Sequence, residues 1–166
     1  RLQPKTVYTD EVLVSATRAR DRMPVAYVNL DGEALQKRNM GQDLPYMLAS
    51  TPSFVASSDA GTGIGYTSFR IRGTDMNRIN VTVNGIPLND AESHTTFFVD
   101  QPDLTSSAAN IQVQRGAGTS VNGAAAFGAT INLQTLSLLP VSYANLRTGA
   151  GSFNTLCDSV SAGKGL

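Results

Sequence analysis

INVTVNGIPLND, residues 79–90, decides how this chain is read. Ile79, Val81 and Val83 alternate with polar residues, the period of a half-buried strand, and Asn84-Gly85 arrives where that strand would turn. Asn and Gly tolerate the positive φ angles of a tight type I′ turn, so the stretch predicts a β-hairpin. Pro87 follows almost at once, and then a polar run from Asn89 through Asp90, Ala91, Glu92 and Ser93 to His94. The hairpin either simply reverses the chain or holds this loop out toward something.

Upstream of the hairpin, residues 12–15 suit a short extended strand, and the charged run 18–22 suits a solvated linker. PVAYVNLDGEAL reads as a strand over 25–29 followed by a helix with Asp31 as N-cap. GQDLPYMLASTPSF carries a second helix: Asp43 stands at the N-cap, Pro45 in the first turn, and Leu44, Met47 and Leu48 fall on one face. Thr51-Pro52 closes it, because a residue before proline resists helical geometry. Helical signals then fade. DAGTGIGYT, residues 59–67, is a glycine-rich loop, and SFRIRG, residues 68–73, is a strand with its two arginines on one face and Phe69 and Ile71 on the other.

Downstream, Pro102-Asp103-Leu104 offers a helical turn, 111–115 a strand ending in a glycine turn, and 127–135 a further strand. The order predicts an α+β fold with a small mixed sheet of about four strands, short helices and long loops. The chain changes character at 136–140. Beyond it, residues alternate with period two, break at Gly149-Ala150-Gly151-Ser152 and resume at Leu156. A hairpin with no sheet to join is marginal alone, so residues 137–166 are expected to belong to a larger β-structure.

Composition sets bounds on all this. The 166 residues suit one domain, or one domain with an appendage; the start at Arg1, without Met or a signal-peptide pattern, suggests a mature or trimmed piece. Charged residues make up only 16% of the chain, so its surface must lean on neutral Ser, Thr, Asn and Gln. With 13 basic and 13 acidic residues no global field exists to attract nucleic acid. No apolar run reaches the roughly 18 residues of a membrane-spanning helix. The one cysteine, Cys157, excludes an internal disulfide and reads as a small half-buried side chain.

Enzyme signatures fail one by one. GTGIGY spaces its glycines alternately and lacks a following Lys-Ser/Thr, and RGAGTSVNG has Val121 where a third glycine would be needed. Asp90, Glu92 and His94 offer a metal-ligating set on paper, but one histidine beside two carboxylates in a polar loop is ordinarily plain surface. No catalytic constellation, metal site or cofactor is expected.

Four fragments stand in order along the chain: Ile71-Arg72-Gly73, Val83-Asn84-Gly85-Ile86-Pro87, Val113-Gln114-Arg115-Gly116, and AFGATINL over 126–133. Each is unspecific alone. Together, after a strand-helix-helix opening, they resemble the plug domain of TonB-dependent outer-membrane receptors over about residues 10–135. Asn84 stands where that family usually has aspartate, and Ala129 where a second glycine is common. The resemblance implies a stopper for the polar lumen of a transmembrane β-barrel of roughly 22 strands, which suits the neutral surface.

It further implies three parts: an N-terminal segment 1–22, a plug 23–136, and the start of the barrel in 137–166. In the first, Asp10, Glu11, Val12, Leu13, Val14, Ser15 and Ala16 resemble the TonB box, an extended segment that adds as a strand to the TonB C-terminal domain. It is equally readable as an edge strand of the plug, and an exchange of partners would reconcile the two. Arg72 and Arg115 are expected to pair with barrel carboxylates. Asp59, Tyr66, Asn89, Asp90, Glu92 and His94, on two loops facing the extracellular mouth, are expected to contact the nutrient ligand. That ligand is of the class of iron complexes, haem, cobalamin or glycans. Alternatives from other classes are a free periplasmic plug-like binding or signalling module and a metal-dependent enzyme.

Overall fold

The computed structural model describes residues 18–20, 23–117, 127–135, 141–152 and 154–164; the segment 10–16 lies outside them. The strands are β1 (Ala26–Asp31), β2 (Phe54–Ser58), β3 (Thr67–Ile71), β4 (Thr74–Asp75), β5 (Ile79–Val83), β6 (Ile86–Pro87), β7 (Ala108–Arg115), β8 (Ala129–Thr135), β9 (Tyr143–Ala150) and β10 (Leu156–Gly163). Helix α1 covers Gly32–Arg38 and helix α2 Leu44–Met47, with 3-10 turns at Met76–Arg78, Phe98–Asp100 and Leu104–Ser107.

The central sheet runs β1-β7-β8-β5-β6. It is mixed: β5 lies parallel to β8, and every other pair is antiparallel. Four strands are full length and β6 adds two residues, so the fold is the α+β arrangement with a small mixed sheet that the sequence predicts. Asn84 and Gly85 adopt φ of 50° and 83°, the left-handed pair that a type I′ turn requires, and β5 and β6 pair across them.

Alternation sorts the sheet into two chemistries. Ile111, Val113, Ile131, Leu133, Ile79 and Val81 share one face, and all are buried. Leu35 of α1, Leu44, Met47 and Leu48 from α2 and its cap, Phe54, Phe69, Ile71 and Phe98 pack into the same core. Phe54 stacks on Phe69 at 5.0 Å, and Phe69 meets Phe98 at 6.0 Å. Helix α1 presses close to β7: a Cβ on Gly32 would sit 2.3 Å from the Ala109 carbonyl oxygen. The opposite face carries rows of polar side chains, Asn29-Gln112-Asn132-Thr82 and Tyr27-Gln114-Thr130-Asn80.

Several boundaries differ from the sequence reading, each for a physical reason. Strand β3 stops at Ile71, because Arg72 and Gly73 turn with φ of 53° and 77°; Arg70 and Arg72 therefore share no strand face. Residues 54–58, unassigned from sequence, form β2 by pairing with β3, Phe54 opposite Ile71 and Ala56 opposite Phe69. The last hairpin extends to Ala150 before turning, since Gly149 and Ala150 pair with Cys157 and Leu156. Two additional 3-10 turns occupy stretches without helical periodicity.

Candidate functional site

Two loops meet above the aromatic core. The first, 59–66, is clasped at both ends. The Asp59 amide donates to the Tyr66 carbonyl at 3.1 Å, and the Asp43 amide to the Gly63 carbonyl at 2.9 Å. Asp43 sits at the N-cap of α2 as its position predicts, yet its side chain makes no cap hydrogen bond. Its buried carboxylate instead accepts from the Thr67 hydroxyl at 2.9 Å, tying the helix start to the end of the loop. Gly63, at φ 80°, lets the chain pass the Tyr46 ring, which a Cβ would approach to 3.0 Å.

The second loop follows the hairpin. Asn89 works as a strand surrogate beside β5: its carboxamide accepts from the Val81 amide at 2.9 Å and donates to the Ile79 and His94 carbonyls at 2.9 and 2.8 Å. The Asp90 carboxylate accepts from the Ser93 amide at 2.7 Å, the Ser93 hydroxyl at 2.8 Å and the Glu92 amide at 3.2 Å. These bonds, the Ser93 amide first, hold its carboxyl below the usual range. His94 closes the turn at φ 57°, its amide donating to the Asp90 carbonyl at 3.0 Å.

A cleft of about 250 Å³ opens between the two loops, lined by Asp59, Gly65 and Tyr66 on one side and Thr95 to Val99 on the other. Phe98 forms part of its buried wall, whereas Tyr66 is 68% exposed and Phe97 47%. Of the six side chains expected to face a ligand, the structure brings Asp59 and Tyr66 into this cleft. Asn89 bonds β5 and its own loop, Asp90 bonds within the loop, and Glu92 and His94 are exposed next to them. Phe97 and Val99 line the cleft without having been singled out from sequence; the signal was the apolar run Phe97-Phe98-Val99 just past a polar loop. Among the described residues no three His, Cys, Asp or Glu side chains cluster as a metal site would.

Arg72 and Arg115 both lie beside the Pro52–Ser53 turn. The Arg72 amide donates to the Ser53 carbonyl at 2.9 Å, and its guanidinium passes 3.4 Å from where a Gly116 Cβ would stand. Arg115 donates to the Pro52 carbonyl at 3.5 Å, and its Nε is buried with no partner among the described residues. Among those residues neither arginine has a carboxylate partner; the ion pairs are Lys37–Glu33 and Arg70–Asp75.

The hairpin β9–β10 touches the body sparingly. Arg147 donates to the carbonyl and the side-chain oxygen of Gln36, both at 3.0 Å. Tyr143, Asn145, Arg147, Ser159 and Ser161 share one face. Ala144, Leu146, Ala150, Leu156, Val160 and Ala162 share the other with the Thr148–Asp158 pair; there Leu146 is 74% exposed and Leu156 and Val160 each 78%.

The family model "TonB-dependent Receptor Plug Domain" matches residues 19–130. Among curated proteins the chain finds no match. Solved structures resemble it in fold. One is the ferripyoverdine receptor of the Pseudomonas aeruginosa outer membrane bound to ferripyoverdine, with TM-score 0.64 and 19% identity over 87% of this chain and 18% of that one. Another is the ferric yersiniabactin uptake receptor FyuA of Yersinia pestis, at 0.64 and 16% over 84% and 21%. A third is the Serratia marcescens hemophore receptor HasR with its hemophore HasA and heme, at 0.62 and 16% over 86% and 22%. The chain thus spans about a fifth of the length of these receptors. With the match covering most of its length, the chain belongs to the TonB-dependent receptor plug domain family.

Proposed function

We propose that this chain is the plug of an outer-membrane receptor that imports a scarce nutrient, such as an iron complex, haem or cobalamin, with energy delivered through TonB. The observation that carries the reading, beyond family membership, is the β9–β10 hairpin. One of its faces is open and apolar but for the Thr148–Asp158 pair, the other polar and turned to the plug through Arg147 and Gln36. That is the chemistry of a barrel strand with lipid on one side and a filled lumen on the other. On this reading residues 137–166 begin the barrel, 23–136 form the plug, and the 10–16 segment offers its backbone to the TonB C-terminal domain.

The cleft between the 59–66 and 88–97 loops is then the plug's contribution to the ligand site. Its exposed Tyr66 and Phe97 supply apolar contact and Asp59 a charge, while Asn89 and Asp90 shape the 88–97 loop, on which Glu92 and His94 stay exposed to meet the ligand from outside the cleft. On the same reading Arg72 and Arg115, which lack carboxylate partners among the described residues, take them from the barrel wall, in polar contacts that water can replace.

The test is uptake by cells whose only copy of the receptor carries a variant. Deleting residues 10–16 is expected to abolish import while surface binding of the nutrient persists. Tyr66→Ala with Phe97→Ala is expected to weaken binding itself. Undiminished import without residues 10–16 defeats the energised mechanism, and unchanged binding by the double variant defeats the ligand assignment.

A further inference from the structure

The cleft between the 59–66 and 88–97 loops has a one-sided charge. Between Arg38 and Arg70, and again between Arg78 and Arg115, the chain carries no lysine or arginine. Both loops fall in these stretches and bring Asp59, Asp90 and Glu92 with them, and Asp100 directly follows the lining residue Val99. No described residue that lines the cleft is basic. Asp59 lines it in no ion pair among the described residues, whereas Arg70, the next basic residue along the chain, is held by Asp75 at 2.7 Å.

The uncharged part of the lining points the same way. Tyr66 and Phe97 are exposed, and the face of an aromatic ring attracts a cation and repels an anion. Thr96 also lines the cleft; it is 2% exposed, and its hydroxyl has no hydrogen-bond partner among the described residues. A buried oxygen in that state is costly until something brings it a partner. The Asp59 carboxylate can only accept, and the Thr96 hydroxyl can accept too. An ammonium, guanidinium or amidinium group offers N–H donors to both, with a positive charge for the carboxylate and the rings. A carboxylate or phosphate group offers acceptors that Asp59 repels. The volume of about 250 Å³ is below the roughly 300–1,000 Å³ of pockets that enclose a whole small ligand, so the cleft seats one group of a larger molecule.

We propose that this cleft is a cation-selective subsite, which seats a positively charged nitrogen group, borne on a flat apolar part of the imported ligand, against Asp59, Thr96 and the rings of Tyr66 and Phe97. The use of the cleft in import rests on the function proposed above. Its preference for positive charge is a property of the lining alone.

Benzamidinium, benzamide and benzoate share one planar shape and are cationic, neutral and anionic in turn, so they probe that preference. Saturation-transfer NMR titrations of the intact receptor in non-ionic detergent measure each affinity. Benzamidinium is expected to bind about five- to tenfold more tightly than benzamide, and benzoate least of the three. Asp59→Asn, at an exposed position, is expected to remove most of that advantage and leave benzamide unmoved. Added salt should shrink the advantage in the unaltered receptor and not in the variant. Tyr66→Ala should weaken benzamidinium and benzamide alike. Three equal affinities, a preference for benzoate, no binding by any probe, or a benzamidinium preference that survives Asp59→Asn overturns the proposal. Equal affinities that all fall in Tyr66→Ala would leave the cleft a ligand site without charge selectivity. Unchanged nutrient binding by the Tyr66→Ala, Phe97→Ala receptor would instead remove the cleft from import, whatever the probes do.

Discussion

Ile131 and Asn132 are consecutive residues of β8, both 0% exposed, and they point to opposite sides of the same sheet. Around Ile131 the neighbours are Val113 and Val81; around Asn132 they are Gln112 and Thr82. Burial is equal and chemistry is opposed. On the first face each side chain gains from leaving water, whatever its exact orientation. On the second, burial helps only as far as each polar atom finds a partner, and the Thr82 and Thr130 hydroxyls have none among the described residues. One face fixes the sheet. The other gains little by being covered.

The largest effect that would break this contrast is on the apolar side. Ile131→Ala removes a fully buried side chain next to Val113 and Val81 and is expected to cost about 2–5 kcal/mol in chemical denaturation. A cost below that of polar-face substitutions would reverse the assignment of which face holds the sheet. The same side has no room to spare where α1 meets β7. Gly32→Ala places a methyl 2.3 Å from the Ala109 carbonyl oxygen, against backbone that cannot swing away, and is expected to cost about 1–3 kcal/mol in the same assay.

The polar face should answer differently. Thr130→Val trades an unpartnered buried hydroxyl for a methyl of similar size, so stability should stay within about 0.5 kcal/mol of the parent or rise. A loss of more than about 2 kcal/mol would mean the hydroxyl has a strong partner, and the contrast would narrow.

The smallest effect lies outside both faces. The Asp90 carboxyl titrates below its ordinary value of 3.8 because the folded loop donates hydrogen bonds to its charged form. Its contribution is therefore present above pH 3.8 and is lost as pH falls through the lower native value. The Ser93 amide resonance should shift on that descent, and in Asp90→Asn the same descent should leave it still. The carboxylate is exposed, so the β-sheet resonances should not follow.

Local chemistry was legible where it decides local geometry. Asn84-Gly85 turns as read because few other pairs accept two positive φ angles in succession. Asp43 and Pro45 start α2 where expected, since a proline in the first turn forfeits no helical bond. Residues 54–58 were illegible for the complementary reason: in FVASS the strand formers Phe and Val give way to Ala-Ser-Ser, and the stretch becomes β2 by pairing with β3. The candidate site divides along the same line. Its two loops could be found from their glycines and polar runs. That Asp59 and Tyr66 share a cleft with Phe97 and Val99, while Asn89 turns inward to brace β5, depends on contacts across the fold.

What the sequence determined by itself was therefore the set of short-range devices: the hairpin turn, the helix starts, the alternation along β5, β7, β8 and the last hairpin, and the neutral polar surface. These follow from backbone sterics and side-chain period, which act over a few residues. Only the tertiary structure decided that β5 runs parallel to β8, that Asp43 bonds Thr67 rather than its own helix, and that Gln112 grips Ala19. Each of these joins residues far apart in sequence. A hydrogen-bonding group is satisfied by any partner of the right chemistry, and only the packed chain selects which one is within reach.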